Sequence, residues 1–302
     1  MTPLRVGTRG SALAVAQTTA VADELARASG GTTRLVTIAT EGDRSGRPLA
    51  QIGGTGVFAS ALRHALLAGE CDLVVHSLKD LPTAPYPGLV VAAVPRRADA
   101  RDALCARDGL TLATLPAGAR VGTGSPRRAG QLRSRRPDVE VVDVRGNVDT
   151  RLAAVARGDL DAVLLAAAGL ERLGRTGAAT QLLDLDEWPT APGQGALAVE
   201  VRAGDEPLVA ALDDAPTRQA VDAERRVLAL LEAGCTAPVG AHATVAGGGA
   251  LRVTARVYSV DGRDTVSASH EATGPGAAEE AARLVVRDLL DAGAARLAGA
   301  GR

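Results

Sequence analysis

Ala119-Arg120-Val121-Gly122-Thr123-Gly124-Ser125-Pro126-Arg127-Arg128 is the stretch on which the reading of this chain turns. Residues 119–123 have the apolar character of a short strand. Ser125 followed by Pro126 is a helix start, because serine can cap a first turn and proline fits its first position. A strand that passes at once into a helix is the repeating unit of an α/β sheet. In such a sheet ligands bind beyond the carboxyl ends of the strands, where backbone N–H groups point outward. The N–H groups of Thr123, Gly124 and Ser125 could hold an anion there, with Arg127 and Arg128 beside it.

The same pattern extends outward from this stretch. Strands are expected at 4–8, 34–39, 72–76, 89–94, 119–123, 139–144, 161–166 and 196–201. Helices are expected at 12–28, 57–68, 126–135, 148–157 and 206–213. This alternation predicts an α/β fold with mostly parallel strands. Two turn-rich segments, 95–99 and 189–195, read as crossings between lobes. The run after the second crossing, Ala196 to Val201, is a strand that could return to the first lobe. From residue 217 the pattern changes to a helix over 217–232, strands at 239–245 and 251–259, and a long helix over 276–297. The expected architecture is two α/β lobes with a central cleft and a small α+β carboxyl-terminal domain. Domain 1 covers 1–95 and 196–214, domain 2 covers 100–191, and domain 3 covers 217–302.

Polar chemistry collects at the strand-to-helix junctions. Strand 4–8 leads to Arg9-Gly10-Ser11, and strand 139–144 leads to Arg145-Gly146-Asn147 with Arg151 one helical turn on. Strand 161–166 leads to Gly169 and Arg172. The junction after 72–76 reads Ser77-Leu78-Lys79-Asp80. If these junctions face one cleft, the cleft is strongly cationic although the net charge is only −1. Such a cleft concentrates anions, and arginine forks pair with carboxylates in a bidentate way. A ligand with several carboxylates or phosphates is expected.

Of the 34 basic Lys and Arg residues only Lys79 is a lysine. Arginine stays charged, whereas lysine can be tuned and can pass a proton, so Lys79 is a candidate for chemistry. Asp80 beside it could stabilise a developing cation or pass a proton to a leaving amine. Cys235, in a loop after a helix, could be a nucleophile or carry a covalent group. Cys71 and Cys105 read as structural. The cysteines are odd in number and far apart, and the histidines show no ligand spacing, so neither a disulfide framework nor a metal site is expected. Aromatic residues are about 1% of the chain, too few to stack single-stranded nucleic acid. No apolar run approaches a membrane span and no signal-peptide core is present, so a cytoplasmic protein is expected.

Six strings then resemble one family in its order and at similar spacing: T-R-G-S from Thr8, H-S-L-K-D from His76, V-G-T-G-S-P-R-R from Val121, R-G-N-V-D-T-R from Arg145, P-G-Q-G-A from Pro192 and A-G-C-T-A-P-V-G from Ala233. The resemblance is to porphobilinogen deaminases (hydroxymethylbilane synthases), and it covers nearly the whole chain. It implies two lobes like those of a periplasmic binding protein and a third domain that carries a dipyrromethane cofactor on a cysteine, here Cys235. It implies that Asp80 is the catalytic aspartate and that Lys79, Thr123, Ser125, Arg127, Arg128 and Arg145 hold the cofactor. Arg9, Ser11, Arg145, Arg151 and Arg172 then match positions that bind substrate carboxylates, and Gln194 falls in a hinge motif.

The implied reaction joins four porphobilinogen molecules head to tail with loss of ammonia, then hydrolyses the chain to hydroxymethylbilane for tetrapyrrole (porphyrin and haem) synthesis. The implied partners are porphobilinogen and, by hand-over, uroporphyrinogen-III synthase; the sequence carries no clear oligomer signal, so a monomer is the default expectation. The family often has G-G-K-G where this chain has Gly53-Gly54-Thr55-Gly56, so Thr55 does not inherit that lysine's role. Gly124 likewise stands where a serine is common. The stretch from about Asp43 to Phe58 is expected to cover the cleft. Two other classes compete: an anion-binding module that closes without reacting, and an RNA binder using the arginines between Arg127 and Arg136.

Overall fold

The computed structural model describes residues 2–39, 57–232 and 237–298. Cys235, Thr55 and most of the stretch expected to cover the cleft lie outside them. The chain divides into two compact units, residues 1–98 with 196–218 and residues 99–195 with 219–302.

The first unit runs through β1 (Leu4–Thr8), α1 (Ala12–Ser29), β2 (Thr33–Thr37), α2 (Val57–Leu67), β3 (Leu73–Ser77) and β4 (Leu89–Ala93). The second begins with β5 (Asp102–Ala106) and β6 (Arg120–Gly122), then α3 (Pro126–Arg135), β7 (Glu140–Val142), α4 (Val148–Ala156), β8 (Ala162–Ala166), α5 (Ala167–Arg172) and β9 (Gln181–Leu182). The chain returns to the first unit as β10 (Leu197–Arg202) and leaves it within α6 (Ala215–Leu230). It ends with β11 (Val239–Val245), β12 (Leu251–Tyr258), β13 (Thr265–Ala272), α7 (Ala277–Asp291) and α8 (Ala294–Ala298).

Each unit holds one five-stranded mixed sheet, ordered β2-β1-β3-β10-β4 in the first and β7-β6-β8-β5-β9 in the second. Three strands of each are parallel neighbours, and the fourth place is taken by an antiparallel strand. In both sheets that strand, β10 or β5, is the first one formed after a crossing segment. The expected return of residues 196–201 to the first lobe is therefore correct, while the parallel expectation holds for only part of each sheet.

The two sheets are buried under helices by apolar faces of Val, Leu and Ala. Val6, Leu25, Leu73, Val199 and Val201 form one core, and Leu104, Val121, Leu132, Leu164 and Trp188 form another. A separate three-stranded antiparallel sheet, β11-β12-β13, packs its Val253 and Val257 against Val285 and Leu289 of α7. This is the small α+β domain expected from the sequence.

Several expectations need correction. Residues 206–213 form two single 3-10 turns, Glu206–Leu208 and Ala210–Leu212, rather than an α-helix. The long terminal helix is broken at Gly293, whose φ of 94° suits glycine and ends α7. Strands β5, β9 and β13 and helix α5 were not anticipated. No helix among the described residues is long and apolar enough to cross a membrane, and no group of three or more His, Cys, Asp or Glu among them could hold a metal.

Candidate functional site

In the first unit the candidates sit at the ends of two neighbouring strands. β1 and β3 are parallel partners, with Val6 opposite Leu73 and Gly7 opposite Val74. Arg9 follows β1, and Ser11 caps α1 by accepting a hydrogen bond from the Ala14 N–H at 3.3 Å. After β3 the chain makes one 3-10 turn over Leu78–Asp80. Leu78 and Leu81 are buried on either side of that turn, and the Leu78 N–H donates to the Ala196 carbonyl at 3.1 Å. The apolar anchors leave Asp80 exposed and Lys79 half-buried. The turn thus presents a carboxylate and the lone lysine side by side on a fixed backbone.

Beneath this turn lies a group that sequence reasoning missed. Glu200 on β10 is 2% exposed. It accepts from Arg63 Nη2 at 2.8 Å and Nε at 3.0 Å, and its Oε2 lies 3.1 Å from His76 Nε2. Burial would raise this carboxyl, but the hydrogen bonds and charges of His76 and Arg63 outweigh it and hold it below its ordinary range. Arg63 also lies over the Tyr86 ring, 4.7 Å from its centroid. His76 opens the H-S-L-K-D string, so the buried pair fixes the strand that leads to Asp80.

In the second unit the opening stretch folds as read. Ser125 caps α3 and Pro126 occupies its first turn. Asn147 caps α4, accepting from the Thr150 N–H at 2.8 Å. Gly124 has no room for a side chain: a Cβ there would stand 2.7 Å from the Val144 carbonyl oxygen. The missing side chain lets the turn holding Thr123 and Ser125 close onto the turn holding Arg145.

The arginines of this unit separate into two groups. Arg127 and Arg128 are buried, and both reach Asp102, which is fully buried. Arg127 Nη1 is 2.9 Å from Asp102 Oδ2, and Arg128 Nη2 is 2.6 Å from Oδ1. Trp188 donates its indole N–H to Asp102 Oδ2 at 3.0 Å, and Gln194 Nε2 donates to Oδ1 at 2.8 Å. Burial would raise the Asp102 carboxyl, yet the two arginines hold it far below the carboxylate range. Arg145, by contrast, is exposed, and its nearest acidic partner is Asp143 at 3.5 Å. Arg151 donates through Nε to the Gly146 carbonyl. Burial, then the charges of Arg128 and Arg145, pull its guanidinium below the ordinary range. Arg172 is lowered by burial and donates to the Gly195 carbonyl at 2.7 Å.

Arg151 is brought to the turn that bears Arg145 by its bond to the Gly146 carbonyl, and the charge of Arg128 reaches it from the buried Asp102 cluster, while Arg127 is tied to Gln131 and the Pro189 carbonyl. Sequence reasoning missed Asp102, whose local signal is an aspartate at the head of an apolar run. A second missed carboxylate, Glu224, is fully buried and accepts from the Gly193 and Ala243 N–H groups at 2.7 and 2.8 Å. Exposed Arg145 and half-buried Arg151 leave positive charge at this turn, which suits a ligand that brings carboxylates.

Comparison with known proteins identifies the class. Residues 4–210 match the family model "Porphobilinogen deaminase, dipyromethane cofactor binding domain", and residues 218–291 match "Porphobilinogen deaminase, C-terminal domain". The porphobilinogen deaminase of Leifsonia xyli is 62% identical over 98% of this chain and 94% of its own length. That of Thermobifida fusca is 52% identical over 100% and 98%. Solved structures with a similar trace include an ABC-transporter periplasmic substrate-binding protein from Coxiella burnetii, at 16% identity over 71% of this chain and 93% of that one, with a TM-score of 0.44. The chain belongs to the porphobilinogen deaminase family.

Proposed function

We infer that the chain condenses four porphobilinogen molecules stepwise, with loss of ammonia, and releases hydroxymethylbilane by hydrolysis. Membership of the family supports this reading, and the observation in the structure that carries it is the cationic group of Arg128, Arg145 and Arg151. The dipyrromethane that one matched domain is named for carries acetate and propionate groups, and these arginines, one buried, one half-buried and one exposed, fit them by charge. Thr123, Ser125, Arg128 and Arg145, with Lys79, would hold it, Arg127 would support Arg128, and Cys235 would be its point of attachment. When bound, it supplies the free pyrrole carbon to which the first substrate is joined.

The chain's own residues then divide the work. Arg145, Arg151 and Arg172, with Arg9 and Ser11, receive the carboxylates of porphobilinogen. Each fork orients a substrate by two parallel hydrogen bonds, which fixes the reacting carbon in place. Asp80 stabilises the positive charge that develops on substrate as the amine departs, and it accepts hydrogen bonds from pyrrole N–H groups. Its exposure on a rigid turn allows it to meet each incoming ring. The buried, free thiols of Cys71 and Cys105 favour a reducing, cytoplasmic setting. We take the working unit to be one chain with one covalent cofactor, whose product passes to uroporphyrinogen-III synthase.

The test is intact mass spectrometry during turnover. Wild type should carry one dipyrrole adduct and gain successive single-pyrrole increments on adding porphobilinogen. Asp80→Asn should keep the adduct and the fold but gain no increments. A bare chain mass in the wild type, with tight polycarboxylate binding and no turnover, would instead establish a binding module.

A further inference from the structure

We infer that Asp102 is a positioning residue: it holds the Arg128 guanidinium in place and ties it to Gln194 of the crossing segment, so that ligand carboxylates meet a preset group. This deepens the proposed function and rests on the reading that Arg128, Arg145 and Arg151 receive carboxylates.

Four donors converge on this one carboxylate from three parts of the second unit. Arg127 and Arg128 come from the first turn of α3, Trp188 from the loop after β9, and Gln194 from the crossing segment that precedes β10. Gln194 also donates to the Ala100 carbonyl at 2.8 Å, which lies just after the first crossing. Its Oε1 accepts from Arg128 Nη2 at 3.4 Å. The second crossing segment and the residue just after the first are therefore tied to the helix end that bears Arg128.

The charge count argues the same way. Two guanidinium groups share one carboxylate, which leaves one positive charge in excess inside the unit. Buried charge is costly unless paired. Arg127 spends its Nη1 on Asp102, Gln131 and the Pro189 carbonyl, and its Nε is buried without an acceptor among the described residues. Arg128 is anchored through Nη1 to the Leu164 carbonyl at 3.0 Å, and its charge is felt at Arg151. The surplus therefore borders the carboxylate-receiving group, where a ligand anion neutralises it. Without Asp102, two adjacent like charges would repel, and Arg128 would leave its place.

The chain contains one tryptophan, and it donates to Asp102, so its fluorescence reports whether the network is intact. Wild type, Asp102→Asn, Asp102→Glu and Arg151→Leu are compared as full chains. The readouts are circular dichroism, Trp188 emission, the dipyrrole-loaded fraction by intact mass, and kcat and KM for porphobilinogen. Asp102→Asn is expected to shift Trp188 emission, lower the loaded fraction about tenfold, and raise KM by up to about a hundredfold with a smaller change in kcat. Asp102→Glu keeps the charge but moves it by one methylene, so it should fold and fall between the two in loading and KM.

Wild-type loading and KM in Asp102→Asn, with Trp188 emission shifted, would overturn the inference. So would a loss confined to kcat. If Asp102→Asn fails to fold, Asp102→Glu decides alone, and an unchanged KM there overturns it. Arg151→Leu tests the underlying reading without touching Asp102. Impaired Arg151→Leu with normal Asp102 variants sinks only the role of Asp102. Normal Arg151→Leu sinks the carboxylate reading, and the inference with it.

Discussion

Glu200 and Arg63 lie 137 positions apart in the chain and meet in a two-pronged ion pair, 2.8 Å at its shortest, with both side chains buried. Arg63 belongs to α2 and Glu200 to β10, which pairs antiparallel with β3 so that Leu197 faces Ser77 and Ala198 faces His76. Removing one partner strands the other. Glu200→Gln is expected to destabilise the first unit by about 3–5 kcal/mol, read from urea unfolding. Turnover should fall as well, because the strand leading to Asp80 loses its anchor. A variant with wild-type stability would show that the pair is dispensable.

The same carboxylate sets a pH dependence. Glu200 is held below its ordinary range when folded, so it contributes stability that is complete above its unfolded value and is lost as pH falls through the folded one. The stability gap between wild type and Glu200→Gln should therefore be constant near neutrality and close below about pH 4. Asp102 is likewise held below its ordinary range by Arg127 and Arg128, so Trp188 emission should stay constant from neutrality down to the acid transition. A gap that widens on acidification would contradict the assignment.

The sequence made the regular parts of this fold legible and hid the buried ion pairs. β1, α3 and β11 fall where they were expected because strand and helix periods, the Ser125 cap and Pro126 are local signals. Strand β5 was missed because Asp102 opens it and Arg107-Asp108 closes it, and aspartate disfavours strands. That aspartate is tolerated only because Arg127, Arg128, Trp188 and Gln194 converge on it, and no local pattern encodes such convergence. For the same reason Arg127 and Arg128 looked alike in sequence, whereas Arg127 is tethered to Gln131 and Pro189 and Arg128 to Leu164 and Gln194. The strand end that bears Lys79 and Asp80 was legible because β3 is a local apolar run, and composition alone singled out the lysine.

Thiol chemistry offers a check on the cysteines. Burial pushes both Cys71 and Cys105 up to about 11, so neither forms thiolate at neutral pH. Iodoacetamide at pH 8 should leave both unmodified in the native protein, as peptide mapping would show. Cys235→Ala should lack the dipyrrole adduct, whereas Cys71→Ala and Cys105→Ala should carry it. Alkylation of Cys71 without unfolding would mean that its site opens more readily than its burial implies.

Arg151 should show a conflict between stability and function. Its guanidinium is half-buried, with Arg128 and Arg145 close enough to lower it and Asp143 giving the main relief. Removing one of three like charges from the ligand-free chain relieves repulsion, so Arg151→Leu without cofactor should be more stable by about 0.5 kcal/mol. The same variant should bind porphobilinogen more weakly, since a substrate carboxylate would lose its fork. Adding porphobilinogen should then raise the melting temperature of the wild type more than that of Arg151→Leu, because at a fixed ligand concentration the tighter binder gains more stability. A variant that is both less stable and equally responsive to substrate would mean that Arg151 supports the fold and takes no part in receiving carboxylates.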